Sequence, residues 1–373
     1  MKTKKHSRQA GIGSRCIGEN GVTLVELLVG MVVGVVVMAA GFTALTGSNK
    51  ATQINDQTAQ TQQNARVAME FLSRDIKIAG FGTTASVGGC NTGIVPNDNN
   101  IAGADTGPDR ISMVVPTTSA VNPLWTLAVE ARGPFNSIQL QAGAVNAMTT
   151  AGLSANGAVS IGGAISVTAT ANNNDLNLGS TFAAPMVFPA GTQIFLLDCI
   201  TYQIIRTGDT NVAVCGGNAP CLVRGVSANR DCNTLPNTCV AIAEGIEDLQ
   251  LAYACDGCNA AVNSGIADRV IDDQGAVNNT FEAADFISNN AWATVPMVPD
   301  TIRMIRISVV ARQTQNEQGF SEGKTAAIST MNTMIVEDHD PSSDVGFNMA
   351  TYQQMRRRLL TRTVEARNIG LGL

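Results

Sequence analysis

The chain has 373 residues and a formal charge of −6, from 24 Lys and Arg against 30 Asp and Glu. An acidic chain excludes a bulk electrostatic nucleic-acid binder, which needs surplus Lys and Arg to neutralise phosphates, and an apolar fraction of 45% excludes a disordered one. Two histidines leave little material for multi-His metal sites or His-based catalytic triads.

The charge is unevenly placed. Residues 1–21 carry Lys2, Lys4, Lys5, Arg8 and Arg15 against Glu19, a net +4, so 22–373 carries −10. A basic lead before an apolar stretch is an export signature whose Lys and Arg stay cytoplasmic. Leu27 to Leu45 then runs for 19 residues without a charge. At helical rise this spans roughly 28 Å, close to the hydrocarbon thickness of a bilayer. Glu26 stands at the mouth of this run, where a carboxylate is costly unless paired; the bland alternative is a first-turn Glu favoured by the helix dipole. Gly30 and Gly34 form a G-x-x-x-G, which permits close helix approach or is incidental in an apolar helix.

Gly21-Val22-Thr23-Leu24-Val25-Glu26-Leu27-Leu28 resembles the type IV prepilin cleavage and methylation motif. The resemblance implies that a prepilin peptidase cuts between Gly21 and Val22 on the cytoplasmic side and methylates Val22. Glu26 then occupies the position that the family reserves for Glu; the family's usual Phe or Met is replaced by Val22. Residues 64–81 (NARVAMEFLSRDIKIAGF), 244–253 (EGIEDLQLAY), 302–312 (IRMIRISVVAR) and 356–368 (RRRLLTRTVEARN) resemble PilW-type minor pilins, in that family's order. Residues 115–190 lie outside the resemblance. GspJ-like pseudopilins of type II secretion share the N-terminal architecture.

From Ala65 the periodicity predicts an amphipathic helix. Ala65, Ala68, Met69, Leu72, Ile76 and Ala79 form one apolar stripe, with Arg66–Glu70 and Glu70–Arg74 as i,i+4 pairs on the other side. No proline falls between 22 and 80, and Gly80 ends the helix. Strand-like runs follow at 110–115, 137–140, 159–170, 193–197, 201–206, 249–254 and 302–312. In the last, Ile305, Ile307, Val309 and Ala311 face one way and Arg306, Ser308 and Arg312 the other. Gly162-Gly163 marks a turn or bulge inside 159–170. The polar, acidic stretch 264–299 reads as a long loop or an insertion.

Cys16 leaves with the leader, so the mature chain keeps Cys90, Cys199, Cys215, Cys221, Cys232, Cys239, Cys255 and Cys258. An even number in a chain displayed outside the cytoplasm reads as disulfides. Sequence proximity suggests Cys215–Cys221, Cys232–Cys239 and Cys255–Cys258, leaving Cys90–Cys199; zinc at Cys255-x-x-Cys258 is the rival. His339 is the one histidine outside the leader. Its neighbours Asp338, Asp340 and Asp344 suit calcium, but without the glycine and distal Glu of an EF-hand loop the segment reads as a solvated turn. Arg356, Arg357 and Arg358 read as a solvated strand edge. No phosphate loop and no nucleophile–base pair is visible.

The expected fold is α+β, with a long N-terminal helix packed on an antiparallel β-rich head carrying disulfides. The expected organisation is a removed leader (1–21), a pilin helix (22–82, membrane span about 22–46) and the head (83–373). The expected protein is not an enzyme and needs neither cofactor nor metal. It is a minor pilin of the inner membrane, N-terminus cytoplasmic and head periplasmic, that later reaches the pilus. Its expected partners are prepilin peptidase, the other minor pilins and the major pilin, the inner-membrane assembly platform and membrane lipid, with no specific nucleic acid. Alternatives are a GspJ-like pseudopilin and a pilus-tip adhesin or ligand-binding module.

Overall fold

The structure, a computed structural model, describes residues 22–101, 103–117, 125–206, 208–209, 212–217, 219–226, 232, 238–259, 265–274, 280–315 and 332–369. Gly21, the leader with Cys16 and His6, and the cleavage bond therefore lie outside the described residues. The chain divides into two units, 1–55 and 56–373.

The first unit is helical from Leu24 onward. It holds the first turns of α1 (Leu24–Ile78), 55 residues that no proline interrupts. Apolar side chains cover every face here: Val29, Val33 and Met38 are 57%, 55% and 67% exposed. A helix apolar all round has no core-facing stripe of its own.

In the second unit the same helix becomes one-sided. Ala65, Ala68, Met69, Leu72, Ile76 and, just past its end, Ala79 are all buried, while Arg66, Glu70 and Arg74 are exposed. Burial of side chains such as Leu72 and Ile76 contributes about 2 kcal/mol each. The helix stops at Ile78, just before the Gly80 expected to end it. Gly80 follows with φ +77°, and its N–H donates to Val114 O at 2.9 Å. A Cβ there would meet Ile369 Cδ1 at 2.6 Å, so both backbone conformation and space require glycine.

The head is antiparallel in every strand pair described. Its larger sheet contains β1 (Ile94–Asn97), β2 (Arg110–Pro116), β4 (Phe135–Gln139), β5 (Gly157–Ile161), β6 (Ile165–Asn172), β7 (Asp175–Phe182), β9 (Ile194–Ile205), β10 (Cys221–Val226) and β11 (Cys239–Glu244). The runs at 193–197 and 201–206 are thus one strand rather than two. Asp198 interrupts the apolar pattern, but its Oδ2 accepts a 2.7 Å hydrogen bond from Thr117 Oγ1 and the ladder continues. β9 serves three neighbours: β2 along one edge, β5 beside its first residues and β10 beside its last. Gly162-Gly163, at φ 63° and 70°, turns the chain between β5 and β6.

The second sheet is β12 (Ile246–Cys255), β13 (Ile302–Arg312) and β14 (Arg357–Glu365), in that order. In β13 the residues Ile305, Ile307, Val309 and Ala311 are fully buried, as their alternation predicts. A two-stranded ribbon, β3 (Ala131–Arg132) with β8 (Val187–Phe188), and two short helices, α2 (Ala144–Thr150) and α3 (Met349–Tyr352), complete the head. The described part of 264–299 contains no strand. Buried aspartates fix it instead: Asp272 accepts from the Cys258 and Asn259 N–H groups at 2.7 Å, and Asp256 from Asp268 and Arg269.

The head has two principal cores. One joins the helix stripe to β2, the latter half of β9, β12, β13 and Val364. The other gathers Trp125, Leu127, Leu140, α2 and the inward faces of β5, β6 and β7. The stretch 115–190, outside the resemblance, therefore largely encloses a core of its own.

Candidate functional site: the N-terminal helix and its dock

Thr23 begins the helix. Its hydroxyl accepts from the Glu26 N–H at 3.3 Å, one half of the reciprocal cap that a Thr-x-x-Glu spacing allows. Glu26 sits in the first turn, exposed, where the helix dipole favours an acid. Its carboxylate makes no ion pair among the described residues. Val22 is 70% exposed, so the residue that cleavage would turn into an amine is open to a neighbour. Gly30 and Gly34 also face open space, with nothing within 4 Å of a Cβ built on either. The helix is long and apolar enough to cross a membrane.

The other end of the helix is docked by a polar network that the sequence did not disclose. Asp75 is 0% exposed on the buried side of the helix. Its Oδ2 accepts from the Tyr202 hydroxyl of β9 at 2.7 Å and from Arg224 Nε of β10 at 3.2 Å. Its Oδ1 takes Arg74 Nε at 3.1 Å, so Arg74 turns to its chain neighbour and not to Glu70 as its spacing suggests. Among the described residues neither expected i,i+4 pair forms an ion pair. Burial, and next the charge of Asp75, push the Tyr202 phenol well above its ordinary range, so it stays a donor. One carboxylate thereby fixes the rotation and height of the helix against two strands.

The charged residues of the C-terminal resembling segments serve similar structural bonds. Arg357 is not a solvated edge residue: it is 5% exposed, stacks 3.4 Å over the Tyr352 ring and grips both oxygens of Glu247. Arg306 pairs with both oxygens of Glu337 at 2.8 and 2.6 Å. Asp248 holds His339 Nδ1 at 2.8 Å while Asp344 takes Nε2 at 3.0 Å. The segment around His339 is accordingly not a solvated turn, since the imidazole is 2% exposed. Burial alone would lower its pKa; the hydrogen bonds to Asp248 and Asp344 outweigh that and hold it up at about 10. Asp340 caps the next turn through the Ser342 N–H, and Asp338 turns away toward Asp98 and Asp105.

The cysteines pair as Cys90–Cys199, Cys215–Cys221, Cys232–Cys239 and Cys255–Cys258. The first ties the segment after the helix to β9. The last closes the end of β12 and removes the thiolates that zinc would need.

A family model described as type IV pilus-assembly protein W matches residues 204–368. The match takes in three of the four resembling segments and excludes 64–81 and the middle of the chain. No curated protein and no solved structure matches. The matched residues contain Glu247, Asp248, Arg306 and Arg357, whose bonds join β12 to β14 and tie β12 and β13 to the segment that carries Glu337 and His339. By this segment, residues 204–368, the chain is similar to the PilW family of type IV pilus-assembly proteins.

Proposed function

We propose that the protein is a minor pilin processed between Gly21 and Val22, methylated at Val22 and held in the inner membrane by residues 22–46 until it joins a pilus. Residues 1–21 are then a discarded cytoplasmic leader and the head is periplasmic before assembly. The observation that carries the reading is the contrast within α1. Its first half is apolar and exposed on all faces, and its second half is buried on one stripe. Such a helix needs lipid or other helices around its first half.

In this reading Glu26 of one subunit pairs with the Val22 amine of the next. Away from lipid headgroups each charge is costly alone, and their pairing demands one axial stagger, so it selects register more than it adds stability. Gly30 and Gly34 let the neighbouring helix approach. The partners are prepilin peptidase, other minor pilins, the major pilin and the assembly platform. The head, with a second core beyond the matched segment, suits a priming or tip position more than a shaft, where its bulk must be accommodated at every step. Motility, adhesion or DNA uptake would depend on it through piliation. Deleting the gene and restoring it with Gly21→Ala tests the reading: unprocessed protein and missing surface pili are expected, and normal processing of Gly21→Ala overturns the cleavage assignment.

A tip adhesin is a second reading, favoured by the separate core of Trp125, Leu127 and α2 outside the family match. Replacing that lobe by a short linker separates the two: lost adhesion with intact pili favours the adhesin.

A further inference from the structure

We propose that Asp98, Asp105 and Asp338 form a binding site for a divalent cation, calcium by the chemistry of its ligands, which clamps the loop between β1 and β2 to the segment before α3. The three residues stand more than 230 positions apart at the extremes, yet one carboxylate oxygen from each lies within 4.8 Å of the others. Calcium takes oxygens at about 2.3–2.6 Å, so ligands on opposite sides of one ion are about 4.8 Å apart. The donor set is all oxygen, without the thiolate or imidazole that would favour zinc or copper. The His339 ring, next in sequence, is committed to Asp248 and Asp344.

The surroundings of these carboxylates are those of a site lacking its counter-charge. Asp105 is 0% exposed; its Oδ1 accepts from the Asn100 N–H at 2.8 Å, and its Oδ2 has no hydrogen-bond partner. Asp98 Oδ2 is likewise buried without one. An independent group points the same way. Tyr253, 2% exposed on β12, has a buried hydroxyl without a partner, and the charges of Asp109 and Asp98 act on it. Asn289 adds a buried, unpartnered Oδ1, while its amide donates to Gly103 O at 2.9 Å. No Lys, Arg or His forms an ion pair with Asp98, Asp105, Asp109 or Asp338 among the described residues. Several buried carboxylates without a cation are held against strong repulsion and desolvation. A bound divalent ion relieves both and gives the unpartnered oxygens of Asp98 and Asp105 a partner.

The backbone is arranged to bring the ligands together. The Asp105 N–H donates to Asp338 O at 3.2 Å, so the two loops already touch. Asp109, at the end of the same loop, accepts from the Asn99 and Leu251 N–H groups and anchors it to β12. The ion would complete a clamp whose protein half is in place.

The test uses the full chain in detergent, stripped with EGTA and titrated with CaCl2, MgCl2 or TbCl3. Calcium should raise the melting temperature with half-saturation near 10⁻⁴–10⁻³ M, the range of extracellular calcium modules, roughly. Terbium should give emission sensitised through Tyr253 and Trp292, whose ring centroids lie 5.5 Å apart, and calcium should quench it by displacement. Asp105→Asn and, separately, Asp338→Asn should each weaken calcium binding at least about tenfold. Asp105→Asn should also melt higher than the wild type in EGTA, because it removes repulsion. No calcium response up to about 10 mM overturns the proposal. So does an equal response to magnesium, or a calcium response unchanged in both variants. A wild type that ignores calcium but is stabilised by acid or by Asp105→Asn would mean that a shared proton, not an ion, neutralises the cluster, and also overturns it.

Discussion

Asp75→Ala should unseat the helix from the head without disturbing its apolar stripe. The substitution leaves the buried Tyr202 hydroxyl without its acceptor and Arg224 without its ion pair. Breaking a buried pair costs about 3–5 kcal/mol, and an orphaned buried hydroxyl about 1–3. Arg224 is 22% exposed and can turn partly to water, which reduces the first figure. About 3 kcal/mol is therefore expected overall, or roughly 6 °C in melting temperature for a domain of a few hundred residues. Urea unfolding of the mature chain in detergent measures it. Tyr202→Phe alone should cost less, about 1 kcal/mol, and the double variant should cost less than the sum, because both lose the same bond. A loss under about 0.5 kcal/mol for Asp75→Ala, or strict additivity with Tyr202→Phe, would refute the docking role.

His339→Gln should remove a pH-dependent contribution. The raised pKa means that this stability is fully present below the ordinary histidine value of 6.5 and is lost as pH rises through about 10. Melting curves of wild type and variant should therefore converge at high pH; a constant gap across that window would contradict the reading. Removing Cys90–Cys199, with sequence separation 109, should destabilise by about 4–5 kcal/mol, against about 2 for Cys255–Cys258 with separation 3, on loop entropy alone. Thermal unfolding of the paired Cys→Ala variants checks the order. Gly34→Leu should leave membrane insertion intact, since leucine is at home in lipid, yet lower recovery of the protein in sheared pili several-fold. Equal recovery would assign the glycine no packing role.

The parts of the fold legible in the sequence are those where one periodicity governs a whole element. The stripe Ala65 to Ala79 and the alternation in β13 each repeat an apolar position at the spacing of their backbone, and each is buried as expected. The run 193–206 misled because Asp198 breaks the alternation locally, while its acceptor role is set by Thr117, 81 residues away. Asp75 was invisible for a similar reason. A carboxylate beside an exposed Arg reads as surface, and only the fold brings Tyr202 and Arg224 to it. Asp98, Asp105 and Asp338 belong to loops whose meeting no local pattern announces. Arg357 shows the opposite error: a run of three arginines reads as solvated, yet Glu247 and Tyr352 draw its middle member inside. At the N-terminus Thr23 and Glu26 look like an ordinary helix cap by geometry alone, and the role proposed for Glu26 rests on the motif resemblance.

Glu26 is proposed to register this subunit in a pilus. Glu26→Ala, introduced in place of the wild type, tests it by the amount of processed protein in the membrane and in sheared surface pili. Processed protein is expected in the membrane at wild-type level, with little or none in pili and reduced piliation. Wild-type numbers of pili containing the Glu26→Ala protein would contradict it.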